Sequence, residues 1–135
     1  MAAVLPDPGT YDFVFDTPTH GKAGDFSFRF WVDDTMPPSI LLLDPRVVVG
    51  RPIRFAVRDS GSGVDPQSLS VNIGGKTARF TYSRGVLWIR TKGRPPGKDR
   101  VTVTASDYQE SKNMEDVGPV LPNTRVLHAN VSLRR

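Results

Sequence analysis

Twelve prolines and twelve glycines cut this chain of 135 residues into short runs. Within the runs, apolar residues alternate with polar ones. "PIRFAVRD" (Pro52–Asp59) shows the pattern, with Ile53, Phe55 and Val57 on one side and Arg54 and Arg58 on the other. A period of two sends successive side chains to opposite faces of an extended backbone. No segment carries a helical period with caps. The chain is therefore confined to an all-β architecture.

The other runs repeat the signal. "SILLL" (Ser39–Leu43) and "RVVV" (Arg46–Val49) make a broken first strand. "SLSVNI" (Ser68–Ile73) turns Leu69, Val71 and Ile73 inward, and "GGK" after it is a tight-turn signal. "TARFTY" (Thr77–Tyr82) sets Phe80 and Tyr82 on one face. In "GVLWIRT" (Gly85–Thr91), Leu87 and Ile89 point inward, which leaves Trp88 facing out or capping an edge. "DRVTVTA" (Asp99–Ala105) buries Val101, Val103 and Ala105, and "RVLHANVSL" (Arg125–Leu133) buries Leu127, Ala129, Val131 and Leu133. Asp107 to Asn123 reads as an extended loop. Seven strands over roughly a hundred residues match the count and spacing of an immunoglobulin-like β-sandwich.

Residues 1–34 do not fit inside that module. "PGTYDFVFDT" (Pro8–Thr17) aligns with "PGKDRVTVTA" (Pro96–Ala105), so that Phe13 falls on Val101 and Phe15 on Val103. "FSFRFWV" (Phe26–Val32) aligns with the final strand near Val131. The opening segment thus reads as a β-hairpin from the end of a truncated preceding module, and a repeat at this spacing marks a tandem array. Residues 32–39, with their paired prolines, form the linker, and 35–135 form the sandwich module. The alternative is one larger domain in which the hairpin joins the sheet. Under the first reading Tyr11, Phe13, Phe15, Phe26, Phe28 and Phe30 lose their partner strands. Leaving six aromatics uncovered costs roughly 10 kcal/mol of transfer free energy, so the hairpin is expected to pack on the module, to self-associate through its strand edges or to be loose.

The sequence contains no cysteine, which removes disulfides and thiolate metal sites. No apolar run reaches the ~20 residues needed to span a bilayer, so no membrane insertion is expected. "MAAVLP" lacks the features of a signal peptide; an exported protein would carry its signal upstream. The net charge of +4 raises the question of nucleic acid. Arg54, Arg58, Arg79, Arg90 and Arg100 are scattered polar-face positions, however. The one cluster, Arg90 to Arg100, has no aromatic stacking platform. It reads first as a solvated loop and second as an anion-binding patch, and no nucleic-acid partner is expected.

Four stretches carry a resemblance. "LPDPGTY" (Leu5–Tyr11), "VDDTMPPSI" (Val32–Ile40), "VRDSGSGVDPQSLSVNIGG" (Val57–Gly75) and "TASDYQESKN" (Thr104–Asn113) resemble, in that order and spacing, bacterial immunoglobulin-like (fibronectin type III-like) modules repeated in secreted and surface proteins. Lys112 stands where that pattern has glycine. The resemblance implies an extracellular or cell-surface location, neighbouring modules in the same polypeptide, and a spacer, stalk or adhesion role without catalysis. It names no ligand, because such a fold hosts many functions.

Catalytic motifs are weak. "DSG" (Asp59–Gly61) matches the tripeptide of retroviral-type aspartic proteases, but the partner segment of those enzymes is absent, and Asp, Ser and Gly at a turn follow from backbone preference. His20 and His128 are isolated, whereas zinc wants three or four ligands. "NVS" at Asn130 is a formal glycosylation sequon. Asp33, Asp34, Asp59, Asp65 and Asp107 are different: in a sandwich of this topology they converge where the linker enters. Clustered carboxylates repel unless neutralised, and calcium takes six to eight oxygens. These five are a candidate calcium site, the only cofactor the chain suggests; Arg58, Lys112 and solvent are the competing means of satisfying them. For the runner-up function, an accessory module gripping polysaccharide or another cell-surface ligand beside an extracellular hydrolase, Trp88 and Tyr108 are the candidate stacking rings.

Overall fold

Strand alternation sets one face of each run against a shared interior. In β3 (Ile53–Arg58), Ile53, Phe55 and Val57 are fully buried while Arg54 and Arg58 face solvent. The computed structural model describes residues 9–12, 14, 24–25, 27, 29, 31, 34–108 and 123–135. Among them nine strands form two sheets facing one another, an all-β sandwich. The first sheet has the order β1 (Ser39–Leu42), β3, β7 (Val86–Ile89), β6 (Phe80–Ser83), antiparallel throughout. The second has the order β2 (Arg46–Val48), β9 (Thr124–Arg134), β8 (Gly97–Ser106), β4 (Ser70–Ile73), β5 (Lys76–Thr77). It is antiparallel except that β2 runs parallel to β9.

Among the described residues, Phe55 is the one fully buried ring in an otherwise aliphatic interior, with Phe80 and Tyr82 packed at its edge. Phe55, Leu87 and Ile89 of the first sheet meet Val71, Val101, Val103 and Val131 of the second. Each such burial contributes about 1.5–3 kcal/mol. Trp88 lies on the outer face of its sheet, half-buried between Arg54 and Thr81 in the cross-strand register, while Leu87 and Ile89 are fully inside.

Nine strands arise from seven runs because two runs change sheets. The broken first run pairs with β3 as β1, turns at Pro45, and continues as β2 against β9. The run Thr77–Tyr82 divides similarly. Ala78 donates its N–H to the Val71 carbonyl of the second sheet at 2.9 Å, and the Arg79 carbonyl accepts from Arg90 N–H of the first at 3.0 Å. The crossing takes one peptide step and keeps the period of two, so alternation alone does not mark it. Ser68 belongs to a 3-10 turn, Pro66–Ser68, and β4 begins at Ser70.

Two hairpins use two-residue turns with both residues left-handed: Gly74–Gly75 (φ 57° and 78°) and Arg84–Gly85 (φ 50° and 74°). This turn matches the right-handed twist of its strands. Among the described residues no helix is long and apolar enough to cross a membrane. The expected N-terminal hairpin, with Phe13, Phe15, Phe26, Phe28 and Phe30, lies largely outside the described residues, as does the Asp107–Asn123 connection beyond Tyr108.

Candidate functional site: a carboxylate cluster at one pole

The end of β3, the start of β1, the end of β8 and the start of β9 all reach the same pole of the sandwich. The segment before β1 approaches there and meets the turn after β3. Asp34, only 7% exposed, is held in that turn. Its carboxylate accepts from Ser62 N–H at 2.6 Å and from Met36 N–H at 3.2 Å. Its backbone carbonyl accepts from the Asn123 side-chain amide.

Gly61 makes room for this contact. A Cβ on Gly61 would overlap the Asp34 carboxylate, so only glycine fits there. Asp59 folds its own turn: one carboxylate oxygen accepts from Gly61 N–H at 2.9 Å and Gly63 N–H at 2.7 Å. Asp107 ends the β8 side of the pole, fully buried, with Asp107 and Val64 joined in a β-bridge. Asp34, Asp59 and Asp107 each offer an oxygen, and the three lie within 4.8 Å of one another.

Three of the five carboxylates expected to converge do so. Asp65 points elsewhere. It caps the 3-10 turn, accepting from Gln67 N–H at 2.9 Å, while its own N–H is donated to the Ser106 carbonyl at 3.0 Å. "Asp-Pro" followed by a polar pair is a cap signal that could have separated it from the cluster. Asp33 lies outside the described residues.

Electrostatics follow from this packing. Burial alone would raise the Asp34 carboxyl. Hydrogen bonds from the Ser62 backbone and side chain, from the Met36 N–H and with the Asp107 carboxyl outweigh it and hold Asp34 below its ordinary value of 3.8. Carboxylates this close repel one another unless hydrogen bonds or a cation offset their charge. Calcium accepts this donor chemistry, carboxylate oxygens with carbonyls nearby.

Tyr108, the second expected stacking ring, borders this pole. The Arg29 guanidinium lies over it, 4.5 Å from the ring centroid, and also donates to the Ser62 carbonyl at 2.9 Å. A Cβ on Gly63 (φ 89°) would overlap that guanidinium. Arg29 had no signal in the sequence, since nothing local links it to a turn more than thirty residues away. Tyr82 is beside this rim; its hydroxyl donates to the Val57 carbonyl at 3.0 Å, and burial, with Tyr108 adding to it, pushes that hydroxyl above its ordinary value. Trp88 sits apart from this pole, on the outer sheet face. His128 lies on an exposed strand face with its Nδ1 2.9 Å from Thr102 Oγ1.

No protein-family model matches the chain, and no curated protein matches its sequence.

Proposed function

We propose that this chain is a non-catalytic module of a larger extracellular or cell-surface protein, an immunoglobulin-like spacer or adhesion unit joined to neighbours of its own kind. The observation that carries the reading is the way the approaching segment is fixed. Asp34 and Arg29 together engage Ser62, Tyr108 and Asn123, and two glycines leave space for them. A spacer transmits orientation only if the chain before it is fixed to its body. The sheet orders support the reading: β1-β3-β7-β6 opposite β9-β8-β4 is the arrangement of immunoglobulin domains.

The three carboxylates belong to the same joint. Calcium bound by Asp34, Asp59 and Asp107 would offset their mutual repulsion and stiffen the pole. Melting in millimolar calcium and in chelator tests this; an unchanged midpoint removes calcium and leaves a joint held by hydrogen bonds alone. For the spacer role, two copies of residues 1–135 expressed in series should scatter X-rays as an extended particle with one narrow range of lengths. A broad range would mean the copies swing freely and would reject the spacer.

The runner-up, a polysaccharide-binding accessory module, now rests on Trp88, half-buried on the outer face of its sheet, whereas Tyr108 is covered by Arg29. Trp88→Ala should abolish glycan pull-down under that reading and leave it unaltered under the spacer reading.

A further inference from the structure

The pole opposite the carboxylates is basic, and the topology builds it from distant parts of the sequence. Arg46 and Arg134 arrive together because β2 runs parallel to β9: Arg46 pairs with Ser132, and Val48 with Arg134. The turn between β2 and β3 brings Arg51. Thr91, buried at the exit of β7, ties this turn to the next connection, accepting from Gly50 N–H at 2.9 Å and donating to the Arg51 carbonyl at 2.7 Å. That connection supplies Lys92 and Arg94, and Lys98 follows opposite Ser132. The "RTKGRPPGKDR" stretch is largely exposed, as a solvated loop is, and it adjoins residues 46–54 and β9.

Little acid opposes these cations. Among the described residues, Asp44 and Asp99 lie at this end. Asp44 is committed to Arg54 in a two-pronged ion pair, at 2.6 and 3.0 Å. Asp99 sits by the Gly74 turn, opposite Val131 in the strand register. Arg46, Arg51, Lys92, Lys98 and Arg134 are all exposed. An open depression of about 360 Å³ lies beside Arg46 and Arg51, with the Asp44–Arg54 ion pair also on its wall. Val47, Val48 and Pro52 complete the lining, so an anion held there meets the Arg46 and Arg51 guanidiniums beside apolar side chains.

We propose that this basic pole binds a linear anionic glycan, with sulfate or carboxylate groups on Arg46 and Arg51 and the polymer running toward Lys92 and Arg134. The surface favours a glycan over nucleic acid. No helix of the described residues can enter a groove, and single strands want a row of stacking rings. Trp88, on the outer face of its sheet opposite Arg54 in the register, does not make such a row. The inference does not depend on the spacer reading, because a spacer and a binding pole can occupy the same module.

The test is binding of the full chain to heparin (sulfate), polygalacturonate (carboxylate), dextran (neutral) and a 20-base-pair DNA duplex. Binding to at least one anionic glycan and not to dextran is expected; which of the two identifies the group recognised. Affinity should fall at least tenfold as salt rises from about 50 to 200 mM, as screening of exposed charge requires. Arg46→Ala/Arg51→Ala should lose at least tenfold, while Arg58→Ala/Arg84→Gly, equal in charge and at the other pole, should lose less than twofold. No binding to either anionic glycan at low salt overturns the proposal. So does an equal loss in both double variants, or tighter binding to DNA than to heparin.

Discussion

At the scale of single residues the structure turns on Asp34. Removing its carboxylate leaves the buried Ser62 N–H without its acceptor, a cost of about 1–3 kcal/mol. Asp34→Ala should therefore lower the melting midpoint by roughly 5–15 °C, read by calorimetry. Gly61→Ala should be destabilised comparably, because its Cβ meets the same carboxylate. The two effects should be strongly non-additive: in an Asp34→Ala background, Gly61→Ala should cost little, and full additivity would place the glycine's role elsewhere. The pH dependence has a definite sign. A carboxyl whose folded value is depressed adds stability above its unfolded value and loses it as pH falls through the folded one. The stability gap between the native chain and Asp34→Ala should thus be flat at neutral pH and close only below about pH 4. A gap that closed between pH 5 and 7 would contradict this.

At the scale of elements, the strands were legible because burial on one face imposes a period of two. Ile53, Phe55, Val57, Val101 and Val103 are all inside, as alternation requires. What alternation cannot encode is the sheet a strand joins. Ala78 and Pro45 mark places where the chain leaves one sheet for the other, and the inward face stays inward across both. The hairpin turns divide along the same line. "GG" at 74–75 announces a left-handed pair, whereas Arg84 takes φ 50° against its preference and is recognisable only in the structure. Arg84→Asn should stabilise the protein by up to ~1 kcal/mol, since asparagine visits that region at lower cost. In the core, Phe55→Ala should cost about 3–5 kcal/mol in denaturant unfolding, because the ring is fully buried between the sheets.

At the scale of the whole molecule the two ends have opposite character: buried carboxylates where the chain approaches, exposed arginines and lysines at the other end. The meeting of Asp34, Asp59 and Asp107 was legible, because the order of strands in a sandwich decides which loops share a pole. The diversion of Asp65 to a cap and the placement of Arg29 over Tyr108 were not, since each depends on one side chain choosing among nearby partners. The basic pole was half legible. The run from Arg90 to Arg100 is plain in the sequence, while Arg46, Arg51 and Arg134 join it only through the parallel pairing of β2 with β9. Central to this account is that the approaching segment is part of the rigid body. Backbone ¹⁵N relaxation of the Thr35 and Met36 amides measures that directly. Order parameters near ~0.85, equal to those of β3, are the predicted result; values below ~0.6 would mean a loose tether and would contradict it.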